Sequence, residues 1–262
     1  MNLFYREVGN GRPFVILHGL LGCSDYWLPV TKYFLNKYQF KFIIPDLRNH
    51  GQSEKSENFS IDDLAEDIID LIKNYNTEDI IILGHSLGGK IIYNLISKFN
   101  LKFNSIIIVD ISNKNYQQKY DFENLLNFIS NIDLSKFNNR QDIDIYLEKS
   151  NLKIDDKQII NKNITQKNRQ YIWKINPQAI KNNYKEILKK NEFDEKISTP
   201  TLLLKGENSD YISKEDIELM KKNFTNLTFT EVSNSGHWIH TDNFEEFCFK
   251  IEEFINNQKL LV

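Results

Sequence analysis

Residues 80–90 read Ile80-Ile81-Ile82-Leu83-Gly84-His85-Ser86-Leu87-Gly88-Gly89-Lys90, the most informative segment of the chain. An apolar run leads into a Gly-x-Ser-x-Gly pentapeptide, which is followed by a helix-forming segment. This order is typical of a nucleophile elbow, where a buried strand turns sharply into a helix and holds a serine hydroxyl above the sheet edge. The glycines leave room for the turn, and the helix directs its free amide N–H groups and positive dipole end toward the serine. The stretch therefore predicts that Ser86 is a nucleophile and that the chain is a hydrolase or acyltransferase.

Length, charge and composition agree with one large α/β domain that has room for an inserted subdomain. The chain has 262 residues and a formal net charge of -3, which provides no basic surface for nucleic acid. No apolar run approaches the length of a membrane span, and the N-terminus lacks the features of a signal peptide. Cys23 and Cys248 form neither a metal-ligand spacing nor a disulfide framework. We therefore expect a cytoplasmic protein with no cofactor or metal, no nucleic-acid partner and no membrane span.

Short β-branched runs alternate with amphipathic helical patterns, which predicts a mostly parallel sheet flanked by helices. The predicted strands cover residues 14–17, 40–44, 80–83, 105–109, 201–204 and 228–232. The predicted helices cover residues 25–35, 61–75, 89–99, 214–223 and 244–257. Two of these helices begin with a Ser-x-x-Asp capping box, at Ser60 and at Ser213.

The alternation breaks between residues 112 and 197, where no convincing strand is found. Helical patterns recur near 122–132, 143–147, 157–166 and 179–189. An insertion of this size is too long for a loop and predicts a helical cap over the sheet, although its polar composition also fits partial disorder. The expected division is a core of residues 1–111 and 198–262 with a cap of residues 112–197. Phe122, Tyr171 and Trp173 are expected to give the cap an apolar wall for the substrate.

A histidine follows the last predicted sheet strand, in the sequence Asn234-Ser235-Gly236-His237-Trp238. A histidine in such a loop can lean over the sheet edge and deprotonate Ser86, and serine before histidine is a known chain order for this chemistry. His237 is therefore the predicted base. His240, three residues later, is expected at the surface or behind the site.

The loop after the first predicted strand reads His18-Gly19-Leu20-Leu21-Gly22. Such a loop can present a backbone N–H to Ser86, so the Leu20 and Leu87 amides are the predicted oxyanion hole. His18 is expected to be buried and hydrogen-bonded, and Cys23 to be a packing residue. Asp46 and Arg48 are expected to close a turn through local hydrogen bonds.

Taken together, these motifs resemble the α/β-hydrolase fold family. The resemblance lies in His18-Gly19, Asp46-x-Arg48-x-His50-Gly51-x-Ser53, Gly84-x-Ser86-x-Gly88-Gly89 and Gly236-His237-Trp238. The chain is more closely similar to YbfF-type esterases and their mitochondrial relatives in Asp46-Leu47-Arg48-Asn49-His50-Gly51, Val109-Asp110-Ile111-Ser112, Gly206-Glu207-Asn208-Ser209-x-Tyr211 and Gly236-His237-Trp238-Ile239-His240. This resemblance covers nearly the whole chain outside the cap. It implies carboxylesterase or acyl-thioesterase activity on small or linear acyl groups.

The acid that partners His237 is open between two aspartates. Many α/β-hydrolases place it in the loop after the strand at 201–204, three residues past a glycine, but that position is Ser209 here. Asp210 follows one residue later. Asp110 lies at the carboxyl end of the strand next to the elbow strand, where open α/β sheets position groups well, and the YbfF-type pattern resembles this layout. We therefore favour Asp110 and keep Asp210 as the alternative.

These residues predict a serine hydrolase that cleaves a small-molecule ester or thioester through a covalent acyl-enzyme, without a cofactor. Tyr211 and Trp238 are further candidates for contact with the substrate. The same scaffold also serves C–C hydrolases, lyases, methyl-esterases of cofactor biosynthesis and cofactor-free haloperoxidases. Dehalogenases and epoxide hydrolases are excluded, because they need a carboxylate in place of Ser86. A binding protein without turnover is the third possibility, and the sequence indicates no oligomeric state.

Overall fold

Within residues 1–117, 120–193 and 195–258, which the computed structural model describes, seven strands form a central sheet. The strands in chain order are β1 (Tyr5–Gly9), β2 (Arg12–Leu17), β3 (Phe40–Pro45), β4 (Ile81–His85), β5 (Ser105–Val109), β6 (Ile164–Lys167), β7 (Gln170–Trp173), β8 (Thr201–Gly206) and β9 (Leu227–Val232). The sheet order is β1-β3-β2-β4-β5-β8-β9, and β6 and β7 form a separate hairpin. β1 is antiparallel to β3, whereas the other sheet pairs are parallel. The mostly parallel sheet is thereby confirmed.

All six predicted strands are present in this sheet, with ends that differ by no more than two residues. β4 and β5 are buried along their whole length, as strands covered on both faces must be. Their side chains divide between two apolar clusters: Ile82 belongs to one, and Ile81 and Leu83 belong to the other. β1 was not predicted, because this edge strand has no buried residue and therefore no apolar run.

The order of the strands brings two loops together at one edge of the sheet. The chain crosses from β2 to β3 and then returns to place β4 on the other side of β2, where Leu17 pairs with Gly84. Strand addition therefore reverses direction between β2 and β4. In open α/β sheets such a switch point leaves a crevice beyond the carboxyl ends of the strands. The loop after β2 and the residue after β4, Ser86, both lie at this crevice.

Ten helices surround the sheet or belong to the inserted segment, within the described part of the chain. They are α1 (Leu28–Leu35), α2 (Ile61–Ile72), α3 (Leu87–Ser97), α4 (Tyr120–Asn131), α5 (Arg140–Glu148), α6 (Ile154–Lys162), α7 (Pro177–Ile187), α8 (Lys214–Asn223), α9 (Ile239–Asp242) and α10 (Phe244–Asn257). The predicted bounds of α8 and α10 are correct, and both capping boxes, at Ser60 and Ser213, are formed. The predicted helix at 25–35 is divided into a 3-10 turn, Ser24–Trp27, and α1.

Residues 112–197, which we call the cap, contain α4 to α7 and the β6–β7 hairpin between β5 and β8. Positions 118, 119 and 194 of the cap, and 259–262 of the expected core, lie outside the described residues. The prediction that this segment contains no strand is wrong. The two strands have only four residues each, and Asn168 and Arg169 join them with positive φ angles of 51° and 65°. Two such residues match a type I′ turn, but Asn-Arg lacks the glycine that usually signals it.

Lys90 ties the elbow helix to both ends of the cap. Its side chain is buried near the start of α3, and its ammonium group donates to the carbonyl of Lys114 at 3.0 Å. The same group donates to the carbonyls of Leu188, at 3.3 Å, and of Lys189, which follow α7. Lys114 precedes the cap helices and Leu188 follows them, so one side chain holds both connections against α3.

We expect Lys90→Met to lower the free energy of unfolding by about 2–3 kcal/mol, because it leaves three carbonyl groups without their donor. Lys98→Met is the matched control. Lys98 lies just after the same helix, but it is exposed and pairs with Asp62 at the surface, so its loss should cost less than about 1 kcal/mol. Urea unfolding followed by circular dichroism measures both values. Equal losses in the two variants would show that the carbonyl contacts of Lys90 contribute nothing special.

Candidate active site

Ser86 occupies a strained turn between β4 and α3. Its φ and ψ angles are 51° and -111°, a region that residues other than glycine rarely adopt. The turn is possible because its neighbours have no side chain. A Cβ atom at Gly84 would lie 2.4 Å from the Gly88 carbonyl carbon, and one at Gly88 would lie 2.2 Å from the Leu17 carbonyl oxygen. The Ser86 N–H donates to Val109 at 3.0 Å, so the elbow continues the β4–β5 ladder.

His237 and Asp110 form a hydrogen bond across the carboxyl ends of the sheet strands. Asp110 directly follows β5, is fully buried, and places Oδ2 2.8 Å from His237 Nδ1. A donor at Nδ1 leaves Nε2 of the neutral imidazole as the basic nitrogen. The Gly206 amide also donates to Asp110, at 3.2 Å. Asp210, in contrast, is exposed beside the cavity described below, so the geometry favours Asp110 over Asp210 as the partner of His237.

Ser209 supports Asp110 from the loop after β8. Its hydroxyl donates to Asp110 Oδ2, the same oxygen that contacts His237. Ser209, which stands three residues past Gly206 where many α/β-hydrolases have the acid, is thus a hydrogen-bond donor to the buried aspartate. Serine fits this role because a second carboxylate there would repel the first.

Tyr211 packs flat against the imidazole of His237. The ring centroids are 3.7 Å apart and the ring planes differ by 12°. Burial raises the pKa of Tyr211 to about 12, so its phenol stays neutral near pH 7. The Tyr211 carbonyl accepts a hydrogen bond from the Tyr116 hydroxyl of the cap at 3.0 Å. A cap residue therefore holds the aromatic platform on which His237 rests.

His85 contacts the backbone of His237, a contact that the sequence did not lead us to expect. Its Nε2 lies 2.8 Å from the carbonyl oxygen of His237, and burial lowers its pKa well below the usual value. The neutral ring therefore donates from Nε2 and holds the backbone of His237. Its other face is against the loop after β2, where a Cβ at Gly19 would lie 2.8 Å from His85 Nδ1. The sequence feature that could have indicated this position is its place inside the pentapeptide, directly before Ser86.

His240 is buried rather than at the surface. Its ring stacks on Trp27, with centroids 4.4 Å apart and planes 12° from parallel. Burial lowers the pKa of His240 to about 3, which keeps it neutral. Its ring also lies 5.2 Å from that of His85. Of the two positions expected for His240, at the surface or behind the site, the structure agrees with the second.

Leu20 belongs to the loop of residues 18–22, which lies at the crevice. Its turn is closed by a hydrogen bond from the Gly22 N–H to the Gly19 carbonyl at 2.9 Å. His18 is buried, as predicted, with Nε2 2.9 Å from the Leu47 amide and Nδ1 2.8 Å from the Gly19 carbonyl. The Leu87 amide is the first of α3 and has no acceptor within its own helix. Leu20, Leu87 and Ser86 line the same cavity.

The loop after β3 lies behind this turn and corrects one prediction. Asp46 does close its loop, since its carboxylate accepts from the Gln52 amide at 2.8 Å and from the Ser24 amide at 2.7 Å. The prediction that Arg48 closes the same turn through local hydrogen bonds is wrong, because its main partner is distant in the sequence. Its guanidinium forms a two-bond pair with Asp67 of α2, at 2.6 and 2.8 Å. Asp67 is buried and distant in sequence, so only the packing of α2 on the sheet reveals this partner.

A cavity of about 820 Å³ lies between the carboxyl edge of the sheet and the cap, and Ser86 and His237 line it. Its apolar wall includes Leu21, Ile111, Phe122, Tyr184, Ile187 and Leu188. The Phe122 and Tyr184 rings pack together with centroids 5.1 Å apart. Tyr211 and Trp238 also line the cavity, so both remain candidates for contact with the substrate.

Trp173 does not line this cavity, and the expectation for it is corrected. It lies in β7, where it pairs with Ile164 of the hairpin and packs against the apolar core. Tyr171 lies on the same strand and is likewise not a lining residue among those described. Both assignments assumed a helical segment, and the hairpin turns these side chains to other neighbours.

Charged side chains also belong to the lining of the cavity. Four aspartates and two lysines, exposed or half-buried, contribute to its lining: Asp155, Asp156, Asp210, Asp242, Lys153 and Lys162. Across residues 1–117, 120–193 and 195–258, no three His, Cys, Asp or Glu side chains are grouped to hold a metal ion. None of the described helices is long and apolar enough to cross a membrane.

The sequence matches the alpha/beta hydrolase fold family over residues 12–244. It is similar to an sn-1-specific diacylglycerol lipase of Danio rerio, with 29% identity over 252 residues that cover 94% of this chain and 79% of the relative. Esterase YbfF of Escherichia coli (strain K12) is 23% identical over 251 residues, which cover 95% of this chain and 94% of that protein. A solved structure described as a marine microorganism esterase is 32% identical, with coverage of 96% of this chain and 98% of its own, and a TM-score of 0.89.

Proposed function

This chain belongs to the α/β-hydrolase fold family and is an esterase/lipase-type hydrolase, and from this premise we propose that Ser86, His237 and Asp110 are its catalytic triad. The observation that carries the proposal is the 2.8 Å contact between His237 Nδ1 and buried Asp110, at a cavity that Ser86 also lines. The substrate class is a carboxylic ester with an apolar acyl group. Cys23 and Cys248 are free and buried, which fits the reducing cytoplasm as the proposed location.

In the proposed acylation step, His237 Nε2 accepts the proton of the Ser86 hydroxyl while Oγ attacks the carbonyl carbon. The carbonyl oxygen becomes an oxyanion, to which the Leu20 and Leu87 amides donate. Asp110 stabilises the imidazolium, which then protonates the departing alcohol and leaves an acyl ester on Ser86. Water, deprotonated by His237, releases the carboxylic acid and restores the serine.

The lining of the cavity supports an apolar acyl chain and a leaving group without strong negative charge. The apolar wall is formed by cap residues together with Leu21 from the loop after β2 and Ile111 from the loop after β5. The cavity volume of about 820 Å³ is within the usual range for small-molecule sites. Among the exposed and half-buried lining residues, four aspartates outnumber two lysines, and the third lining lysine, Lys90, is buried with its Nζ bonded to backbone carbonyls. This excess of negative charge disfavours the phosphate groups of coenzyme A thioesters. We therefore place neutral esters ahead of acyl-CoA thioesters.

A substrate panel tests this assignment. The protein is assayed with p-nitrophenyl esters of two to twelve carbons, with the matching acyl-CoA thioesters, and with a diacylglycerol, the substrate in the name of one relative. We expect hydrolysis of the esters with a burst of p-nitrophenol equal to the enzyme concentration, and a lower kcat/KM for acyl-CoA. Turnover of acyl-CoA above that of every ester would overturn the assignment, and absence of any acyl-enzyme would favour other chemistry on this scaffold.

Phe122 should control the length of the acyl chain that the cavity accepts. Phe122→Ala removes a ring from the wall, and we expect the kcat/KM ratio of long to short esters to rise about tenfold. Trp173→Ala is the matched control, because Trp173 is a cap aromatic residue that does not line the cavity. An unchanged ratio in Phe122→Ala, or the same change in both variants, would argue against an acyl-binding role for this wall.

A further inference from the structure

The loop that offers the Leu20 amide contains a residue in an unfavourable conformation. Leu21 is the third residue of the turn from Gly19 to Gly22, and its φ angle is 62°. That angle suits glycine or asparagine, whereas leucine has a Cβ that crowds the backbone. Outside contacts must therefore hold the turn in this form.

Two contacts hold Leu21 from opposite sides. On the side of the sheet, its N–H donates to His50 Nε2 at 3.1 Å. On the side of the cap, its carbonyl accepts from Asn163 Nδ2 at 2.9 Å. The loop that forms half of the proposed oxyanion hole is thus bonded directly to the cap.

Asn163 is itself held firmly. It caps the end of α6, and only 3% of its surface is exposed. Its Nδ2 also donates to the Ile159 carbonyl at 3.0 Å, which uses both amide hydrogens. Its backbone carbonyl accepts from Lys174 at 2.7 Å, immediately after β7. Helix α6 and the hairpin together therefore decide where this side-chain amide points.

A neighbouring contact brings the same end of α6 to the chain that follows the loop. Lys162 Nζ lies 5.2 Å from the centroid of the Tyr26 ring, and Tyr26 belongs to the turn Ser24–Trp27. The end of α6 therefore contacts this region of the core at two points.

We propose that Asn163 is a positioning residue through which the cap fixes the oxyanion loop. This proposal rests on the proposed esterase function and adds a second role for the cap, beyond forming a wall of the cavity. Without the Asn163 bond, Leu21 can relax its φ angle and carry the adjacent Leu20 amide away from the oxyanion. The amide position matters most in the transition state, where the negative charge develops.

Asn183 provides a closely matched control. It lies on cap helix α7 and uses its Nδ2 in the same two ways, donating to the carbonyl four residues earlier, Ala179, at 2.9 Å and to the core loop carbonyl of Glu57 at 3.2 Å. Glu57 is not part of the site. Loss of the Asn183 amide therefore removes a cap-to-core bond without touching the oxyanion loop.

The experiment compares Asn163→Leu, Asn163→Ser and Asn183→Leu with the wild type. We expect both Asn163 variants to lose about 10- to 100-fold in kcat, with KM changed less than about twofold, because a displacement near 1 Å has this effect on rate. Their affinity for a trifluoromethyl ketone, whose hemiketal oxygen occupies the oxyanion hole, should fall by a similar factor. Asn183→Leu should retain kcat and inhibitor affinity.

The outcomes separate the two proposals. Thermal melts identify the folded variants, and Asn163→Ser serves if the larger leucine prevents folding. Wild-type kcat in a folded Asn163 variant, or an equal loss in Asn183→Leu, would overturn the role of Asn163. Failure of the wild type to form an acyl-enzyme on Ser86 would instead overturn the proposed function itself.

Discussion

Replacing Ser86 with alanine should lower kcat by roughly 10⁴- to 10⁶-fold, because no other group at the elbow can form the acyl-enzyme. Ser86→Gly should have the same effect and relieve the strain of the positive φ angle of 51°. Two variants with opposite demands on the backbone distinguish loss of the hydroxyl from loss of the fold. Initial rates with a short p-nitrophenyl ester, and a burst measurement at high enzyme concentration, give the values.

Labelling with a fluorophosphonate identifies the nucleophile directly. Peptide mass spectrometry should find the adduct on Ser86 in the wild type and on no residue in either variant. Ser97→Ala is the control, because Ser97 ends α3, the helix that begins beside Ser86, and lines no part of the large cavity. It should retain labelling and turnover. An adduct on another serine, or full turnover by Ser86→Ala, would contradict the role of Ser86.

Replacing Asp110 with asparagine should lower kcat by about 10⁴-fold, while Asp210→Asn should cost tenfold or less. The Asp110 carboxylate accepts from His237 Nδ1 at 2.8 Å and so keeps the basic lone pair on Nε2. An asparagine amide donates to Nδ1 instead, which places the proton on Nε2 and removes the base. Asparagine is the right probe because it tolerates the positive φ angle of Asp110, 51°, better than other residues do.

Stability must be measured beside the kinetics, because Asp110 also accepts from the Gly206 amide and the Ser209 hydroxyl. Equal melting temperatures in the two aspartate variants would make their rates directly comparable. The opposite ranking, with both variants folded, would assign the acid to the loop after β8. Similar partial losses in both would mean that either carboxylate can support His237.

The parts of the fold that depend on local pattern could be predicted from the sequence. Buried strands such as β4 and β5 are apolar along their whole length, because both faces are covered. The Ser213 capping box marks the start of α8 in the same local way. β1 and the β6–β7 hairpin carry no such signal, since they are short, half-exposed and stabilised mainly by their pairing partners.

The candidate site likewise has features that local sequence indicates and features that depend on long-range contacts. Glycines around Ser86, and an aspartate directly after a buried strand, are signals within a few neighbouring residues. The contacts that bring these residues together join distant parts of the sequence. His237 and Asp110 are 127 residues apart, and Asn163 and Leu21 are 142 residues apart. Arg48 and Trp173 were misassigned because their neighbours, Asp67 and Ile164, depend on how helices and hairpins pack.

The parallel sheet, the elbow and the candidate catalytic residues could therefore be inferred from the sequence. Backbone strain and apolar burial constrain these choices locally, so they leave a trace in adjacent residues. Three contacts depend on tertiary packing: that of His237 with Asp110 rather than Asp210, that of His85 with the His237 backbone, and that of the cap with the loop of residues 18–22. A hydrogen bond depends on positions to within a few tenths of an ångström, and the packing of the whole chain sets those positions.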